Sequence, residues 1–410
     1  MQLRGLRIRH FRSVGSTEVE LPLVSSLTLV GANNSGKTNI LRAIEMFFTG
    51  HDNDLGYTRA TDLTFGANSA KTSLLATFES DFERIEDDEN VTYGGPDGKF
   101  FEDFDKLCQL YERDPAESTF TLSLVFSPSG VPTYQFFPNL KKPKDNASQA
   151  AISRTQRQLV SDLLAKFSCH YIPSAKSMEQ LYGEVLNPFL TRVAARAVEP
   201  QLQELQEALA KVATDIDDEL RAVGLDQLTA SFSLPGSGVE SMLSRFEFEL
   251  SDPHKTSVVR KGQGIQSTAF LAALRWVTSE EKREGRETVW LLEEPESYLH
   301  PELMGTVRDL LTRIGSDSRT VLSTHALSFV PDDVNRVVGV ELDAEGRTTI
   351  QRFNTAVEAG DRLRKSLGVR FSDYYNLSEL NRPGESGDSK HWEGWSHVRS
   401  YVEEVSGRAA

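Results

Sequence analysis

The chain has 410 residues, 39 % hydrophobic and 26 % charged, enough apolar material for a buried core and for one to three domains of ~100–200 residues each. Forty-five Lys and Arg against sixty Asp and Glu give a net charge of −15. That balance excludes a global polycation wrapped on nucleic acid and leaves only local basic patches for DNA: Arg4, Arg7, Arg9 and Arg12, or Lys141, Lys142 and Lys144, for either of which solubility is the simpler role. Two cysteines, Cys108 and Cys169, form no CxxC pair, so a disulfide framework or cysteine-ligated zinc is excluded. No run approaches the ~18 apolar residues of a membrane span, and the start alternates arginine with apolar residues instead of forming a signal peptide. The expected location is the cytoplasm, with no membrane partner.

Taken in order, residues 1–30 read as strands. Leu3, Leu6 and Ile8 lie among arginines, Val19 and Leu21 alternate with glutamates, and Leu27-Thr-Leu-Val30 is a buried-type apolar run. Gly31-Ala-Asn-Asn-Ser-Gly-Lys-Thr38 follows, and then a segment in which Ile40, Leu41, Ile44, Phe47 and Phe48 share one helical stripe. Segments 73–78, 119–126 and 167–172 are expected strands, while 86–89 and 94–98 read as exposed loop. Residues 176–222 are expected to form a helical hairpin, in which Leu202, Leu205, Leu209, Val212 and Ile216 make a short a/d seam and Pro200 marks a helix start or a kink. Whether that seam packs inside the protomer or against another chain stays open. Past Gly236-Ser-Gly238, a helix carrying Phe270, Leu271, Leu274 and Trp276 precedes two apolar strands, 288–296 and 319–325. Segments 337–342 and 348–353 pair around Ala344-Glu-Gly346, and the last forty residues are a polar tail with a flexible link at 381–388.

The octet 31–38 matches G-x-x-x-x-G-K-[ST] between a strand and a helix, the context a phosphate loop requires. Gly31 and Gly36 let backbone N–H groups turn toward phosphates at the positive helix end, Lys37 reaches the β/γ oxygens, and the Thr38 hydroxyl ligates Mg²⁺. Four apolar residues, Val289–Leu292, deliver Glu293 and Glu294 to a strand end, where open α/β sheets hold ligands. Glu293 is expected to orient Mg²⁺ or its water and Glu294 to take the proton of the attacking water. His325 ends the next apolar strand and is placed to bond the γ-phosphate or hold that water.

Phe11-Arg-Ser13, the octet 31–38, Gly262-Gln-Gly264, Glu293-Glu-Pro-Glu-Ser-Tyr-Leu-His-Pro301 and Ser323-Thr-His325 occur in this order. Together they resemble the ABC-type ATPase domain of the overcoming-lysogenization-defect (OLD) family, a relative of the RecF and SMC/Rad50 ATPases, over roughly residues 1–80 and 255–370. The resemblance implies an α/β P-loop NTPase of the ABC/SMC type with an inserted, coiled-coil-like helical domain. Its expected division is 1–80 with the phosphate loop, an insertion at 81–250, 251–370 with the signature loop and catalytic strands, and a tail at 371–410.

The same resemblance implies head-to-tail dimers with ATP sandwiched between them. Gly262, Gln263 and Gly264 then act in trans as the signature loop, although they depart from the Leu-Ser-Gly-Gly-Gln form of transporters. Arg12 helps hold the nucleotide, and the binding set is completed by Gly31, Asn34, Ser35, Gly36, Lys37, Thr38 and Asn39. OLD nucleases continue into a Toprim domain with an Asp-x-Asp cluster. Residues 363–373 resemble the segment leading into it, and the 37 that follow contain no such cluster. The expectation is an ATPase without its own nuclease, similar to the stand-alone ATPase subunits of the anti-phage systems PARIS and Septu, with a Toprim- or HNH-type effector in a separate polypeptide. The rival expectation is a RecF-like DNA clamp.

Overall fold

The computed structural model describes residues 1–358 apart from 25, 51–55, 68, 81, 88–89, 116, 142, 144, 175, 223–228, 230, 232–245, 253, 298, 300–302 and 356–357. The tail 371–410, the segment 363–373, Gly236–Gly238, Lys142, Lys144, His300 and Pro301 therefore lie outside the described residues.

Two sheets frame the protein. The first is antiparallel and five-stranded, in the order β2-β1-β4-β7-β8: β1 is Gln2–Arg9, β2 Val19–Pro22, β4 Ser73–Glu79, β7 Thr119–Phe126 and β8 Pro132–Gln135. In β1, Leu3, Leu6 and Ile8 are all buried although the first two are an odd three positions apart. A register shift against β4 between Leu3 and Gly5 reconciles this, since one extra residue returns the next apolar side chain to the core face.

The second sheet has six strands in the order β15-β14-β3-β13-β12-β9, parallel except for the β14–β15 hairpin. Here β3 is Leu27–Val30, β9 Phe167–Ile172, β12 Glu287–Glu293, β13 Arg319–Thr324, β14 Val337–Leu342 and β15 Thr348–Arg352. Both faces of this sheet are covered, which is why its central strands read as unbroken apolar runs. In β12, Val289 and Leu291 join one core with α1 (Lys37–Thr49), α3 (Gly98–Leu110) and α4 (Asn146–Leu164). Trp290 and Leu292, pointing the other way, join a second core with α7 (Gln263–Arg283) and α8 (Met304–Asp317). Short α2 (Arg59–Asp62) precedes β4.

The structure differs from the sequence expectations in three places. Residues 119–172, assigned to the insertion, place β7 and β8 in the first sheet and β9 beside β12, so they complete the two sheets of the nucleotide-binding part. The acidic loop folds in part as a hairpin of β5 (Glu83–Asp87) and β6 (Asn90–Gly94), and α3 starts at Gly98. Residues 178–222 form one helical run instead of a hairpin: α5 (Met178–Leu181), a π-helical turn at Tyr182–Leu186 and α6 (Asn187–Ala222). After Pro188 that run contains no glycine or asparagine, its aspartates (Asp215, Asp217 and Asp218) fall only in its last two turns, and the helix passes through Pro200. Beyond it, β10 (Glu249–Asp252) and β11 (His254–Ser257) pair as a small hairpin leading into α7.

Candidate active site

Strands β3, β13 and β12 are adjacent and parallel, with Val30 opposite Thr324 and Ser323 opposite Glu293. Their carboxyl ends thus bring the 31–38 loop, His325 and Glu293–Glu294 to one edge of the sheet, the edge where parallel α/β sheets bind ligands.

The loop turns through Asn34 at φ +63° and Gly36 at φ +104°. Gly36 caps α1 without any side-chain bond, leaving the N–H groups of the first turn for an anion. A side chain at Gly31 would meet the Val340 carbonyl at 2.1 Å, so only glycine lets the loop leave β3 so close to β14. Lys37 is 6 % exposed and curls back, donating to the carbonyls of Gly31 at 3.0 Å and Ala32 at 2.9 Å. Burial lowers its ammonium below the usual lysine range, although Glu294, Glu296 and Glu293 pull it upward.

Glu293 accepts a short hydrogen bond from the Thr38 hydroxyl on Oε1. Two hard oxygens from separate elements thus converge, which suits Mg²⁺ sharing its remaining positions with phosphates and water. Oε2 of Glu293 accepts from the Tyr171 phenol at 2.6 Å and from the Ser174 N–H at 3.4 Å. Glu294 adopts φ +44°, a left-handed conformation that is costly for a non-glycine residue, and it immediately precedes Pro295. Its N–H bonds the Ser323 carbonyl at 2.9 Å. His325 Nε2 lies 2.9 Å from Glu294 Oε1, within ion-pair distance but without hydrogen-bond alignment.

Several residues the motifs did not identify build the surroundings. Glu296 Oε1 accepts from the Thr324 hydroxyl at 2.6 Å and from the N–H groups of His325 at 2.7 Å and Ala326 at 3.2 Å, fixing the turn that carries the histidine. Thr348, on the edge strand β15, donates to the Ser35 carbonyl at 2.9 Å and lies 2.7 Å from Ser13 Oγ. Asn39 donates to the same Ser13 hydroxyl at 2.7 Å. Arg12, at φ +49°, donates its Nε to Asp62 at 2.8 Å and reaches Asn39 Oδ1 at 3.5 Å. The structure therefore brings Arg12 onto the phosphate-loop helix. Only the Phe-Arg-Ser run hinted at Ser13, and nothing local marked Thr348.

Buried polar atoms without a hydrogen-bond partner gather around this edge: Ser35 Oγ, Ser323 Oγ, Glu296 Oε2 and His325 Nε2. Such atoms are rare in folded proteins; here the serine and histidine atoms suit a polar ligand such as a nucleotide phosphate, and Glu296 Oε2, an acceptor only, suits water or a cation. Among the described residues, Gly262–Gly264 make no hydrogen bond to this cluster. Gly262 caps α7 with open space around it, and Gly262 and Gln263 are exposed. Of the other basic candidates, Arg4 faces Glu79, and Arg7 and Arg9 both face Glu18. No described helix is long and apolar enough to cross a membrane.

Three comparisons bear on this arrangement. Old nuclease of Escherichia phage P2 is 28% identical over 142 residues, 33% of this chain and 24% of that protein. The probable transport accessory protein MmpS1 of Mycobacterium tuberculosis is 53% identical over 45 residues, 11% of this chain and 27% of that one. The chain thus spans about a quarter of the length of the curated relatives it matches. Among solved structures, the SmcHead bound to the C-winged helix domain of ScpA aligns with a TM-score of 0.49 and 14% identity, covering 88% of this chain and 100% of that one. The family model of the AAA ATPase domain (AAA_15) matches residues 1–330. With its mixed α/β sheets and its phosphate loop at the parallel strand ends, the chain belongs to the AAA ATPase domain family, an ATP-using P-loop fold.

Proposed function

We propose that this chain is a Mg²⁺-dependent ATPase that works as a homo-oligomeric switch and controls a separate toxic effector, a Toprim- or HNH-type nuclease, in bacterial defence against phage. The observation that carries the ATPase is the convergence of Lys37, Thr38, Glu293, Glu294 and His325 at three adjacent strand ends. Similarity to a segment of Old nuclease supports the link to a nuclease effector.

On this reading Gly31, Asn34, Ser35, Gly36 and Asn39 form the phosphate cradle and its wall, and Lys37 swings from the loop carbonyls to the β- and γ-phosphates. Thr38 and Glu293 hold Mg²⁺, which when bound neutralises charge on the phosphate oxygens. Glu294 takes the proton of the attacking water, and His325, held beside it through Glu296, shares that water or the γ-phosphate. Arg12 braces the nucleotide side of α1. Gly262 and Gln263, exposed at a helix start, and Gly264 beside them serve the phosphates held by a second copy. Nucleotide binding closes the dimer and hydrolysis reopens it. A DNA clamp would need free basic surface, whereas Arg4, Arg7, Arg9 and Arg12 each face a carboxylate.

Two variants test this. Lys37→Ala is expected to lower ATP affinity at least about a hundredfold by calorimetry, and retained affinity would remove the assignment. Glu294→Gln should bind ATP normally yet turn over roughly 10²–10⁴-fold more slowly. Purified from its host with ATP, it should retain a protein effector; DNA without any protein would move the reading to a clamp.

A further inference from the structure

Both oxygens of Glu293 are engaged, and by different elements. Oε1 faces Thr38 on α1, while Oε2 takes the Tyr171 phenol at 2.6 Å. Tyr171 sits at the end of β9, with Ile172 opposite Leu292 of β12 in register, so its hydroxyl reaches the glutamate that follows. The ring is itself held: the Arg42 guanidinium lies 3.8 Å from its centroid, and Arg42 pairs with Glu45 at 2.7 Å, both on α1. The phenol is the donor of the bond to Glu293 and the carboxylate oxygen its acceptor. No motif identifies this residue.

We propose that Tyr171 is the positioning residue that sets which oxygen of Glu293 meets Mg²⁺. With Oε2 saturated by the phenol and the Ser174 N–H, only Oε1 is free to turn from the Thr38 hydroxyl to the ion. A carboxylate presented through one oxygen suits the octahedral, monodentate preference of Mg²⁺. Hydrogen bonds to the oxygen that is not coordinated keep a ligating carboxylate from rotating away, and losing such partners typically weakens metal binding ~10–100-fold. The inference rests on the ATP and Mg²⁺ reading of the site.

The test is an electron paramagnetic resonance titration of Mn²⁺ into the full chain loaded with ADP, which requires no turnover. Tyr171→Phe removes only the hydroxyl. Mn²⁺ affinity should fall about tenfold or more, while ADP affinity in EDTA stays within about twofold of the unmodified protein. Arg42→Gln, which loosens the ring without touching Glu293, should give a smaller fall in the same direction and supplies the test if the phenylalanine variant does not fold. Unchanged Mn²⁺ affinity in these variants overturns the positioning role. If Lys37→Ala abolishes nucleotide binding in the same preparations, the ATP assignment stands even so; if it does not, the assignment itself has failed.

Discussion

Gly36 is where the phosphate loop depends most on a single missing side chain. At φ +104°, a Cβ there would stand 2.0 Å from Thr348 Oγ1 and 2.9 Å from Ser13 Oγ, the two hydroxyls that tie the loop to the edge strand and to the N-terminal turn. Gly36→Ala is therefore expected to destabilise the fold by about 1–3 kcal/mol in chemical denaturation and to weaken ATP binding. Gly262, at φ −61° in open space, sets the contrast. There, alanine meets no clash, and only the weaker N-cap preference of alanine remains, a cost of about 0.5–1 kcal/mol. Much of the site was legible at this scale because a phosphate loop and a carboxylate-ended strand are local patterns, complete within eight or nine residues. Tyr171, Asp62 and Thr348 were not legible, since each acts on a residue 50 or more positions away.

Among the elements, alternation revealed β4, β7 and β9, apolar at every second position, and a central apolar run revealed β12 and β13. Helix α3 was hidden behind the glycine cluster 94–98, although Phe100, Phe101, Phe104, Leu107 and Cys108 form a helical stripe that packs into the aromatic core. Helix α4 was hidden by its polar majority, with Ile152, Leu159 and Leu163 as its buried contacts. The charged hairpin β5–β6 carries no alternation strong enough to separate it from a loop. One buried carboxylate joins several of these elements. Asp97, at the start of α3, accepts from Lys166 just before β9, from Ser80 just after β4 at 2.6 Å and from the Met1 ammonium at 2.9 Å. Burial alone would raise its pKa, but these hydrogen bonds override that and hold it at about 2 against 3.8. A depressed carboxylate stabilises the fold above its unfolded pKa and loses that contribution as pH falls through the folded one. Asp97→Asn should thus cost about 2 kcal/mol at pH 7, with the gap between the two proteins closing from pH ~4 to pH ~2. Urea titrations at three pH values would measure it, and a gap independent of pH would contradict it.

At the scale of the whole molecule, α6 is, among the described residues, the element least explained by its own protomer. Its 36 residues extend about 54 Å at 1.5 Å per residue. Arg192 and Arg196 near its start face Glu284, and Phe189 joins the second core. Farther along, Val212 and Ile216 of the seam are exposed and Leu209 is half-buried, while the side chains of Leu202 and Leu205 lie outside the described residues. Apolar side chains at a/d spacing in water favour pairing with another helix. Leu209→Asp is accordingly expected to lower the oligomer mass in light scattering, and an unchanged mass would assign the seam to the protomer.

The neighbours of β3 also have a consequence for how the protein comes into being on the ribosome. The strand that launches the phosphate loop ends at Val30, yet both strands that flank it, β13 and β14, begin only at Arg319 and Val337. At about 5–20 residues per second, the nascent chain spends roughly 15–60 s with that strand lacking both sheet neighbours. Glu293 and His325 are likewise late arrivals. A growing polypeptide can present the loop early, but the walls of the pocket close around it only once His325 has been translated, so the nucleotide meets an assembled pocket or none at all.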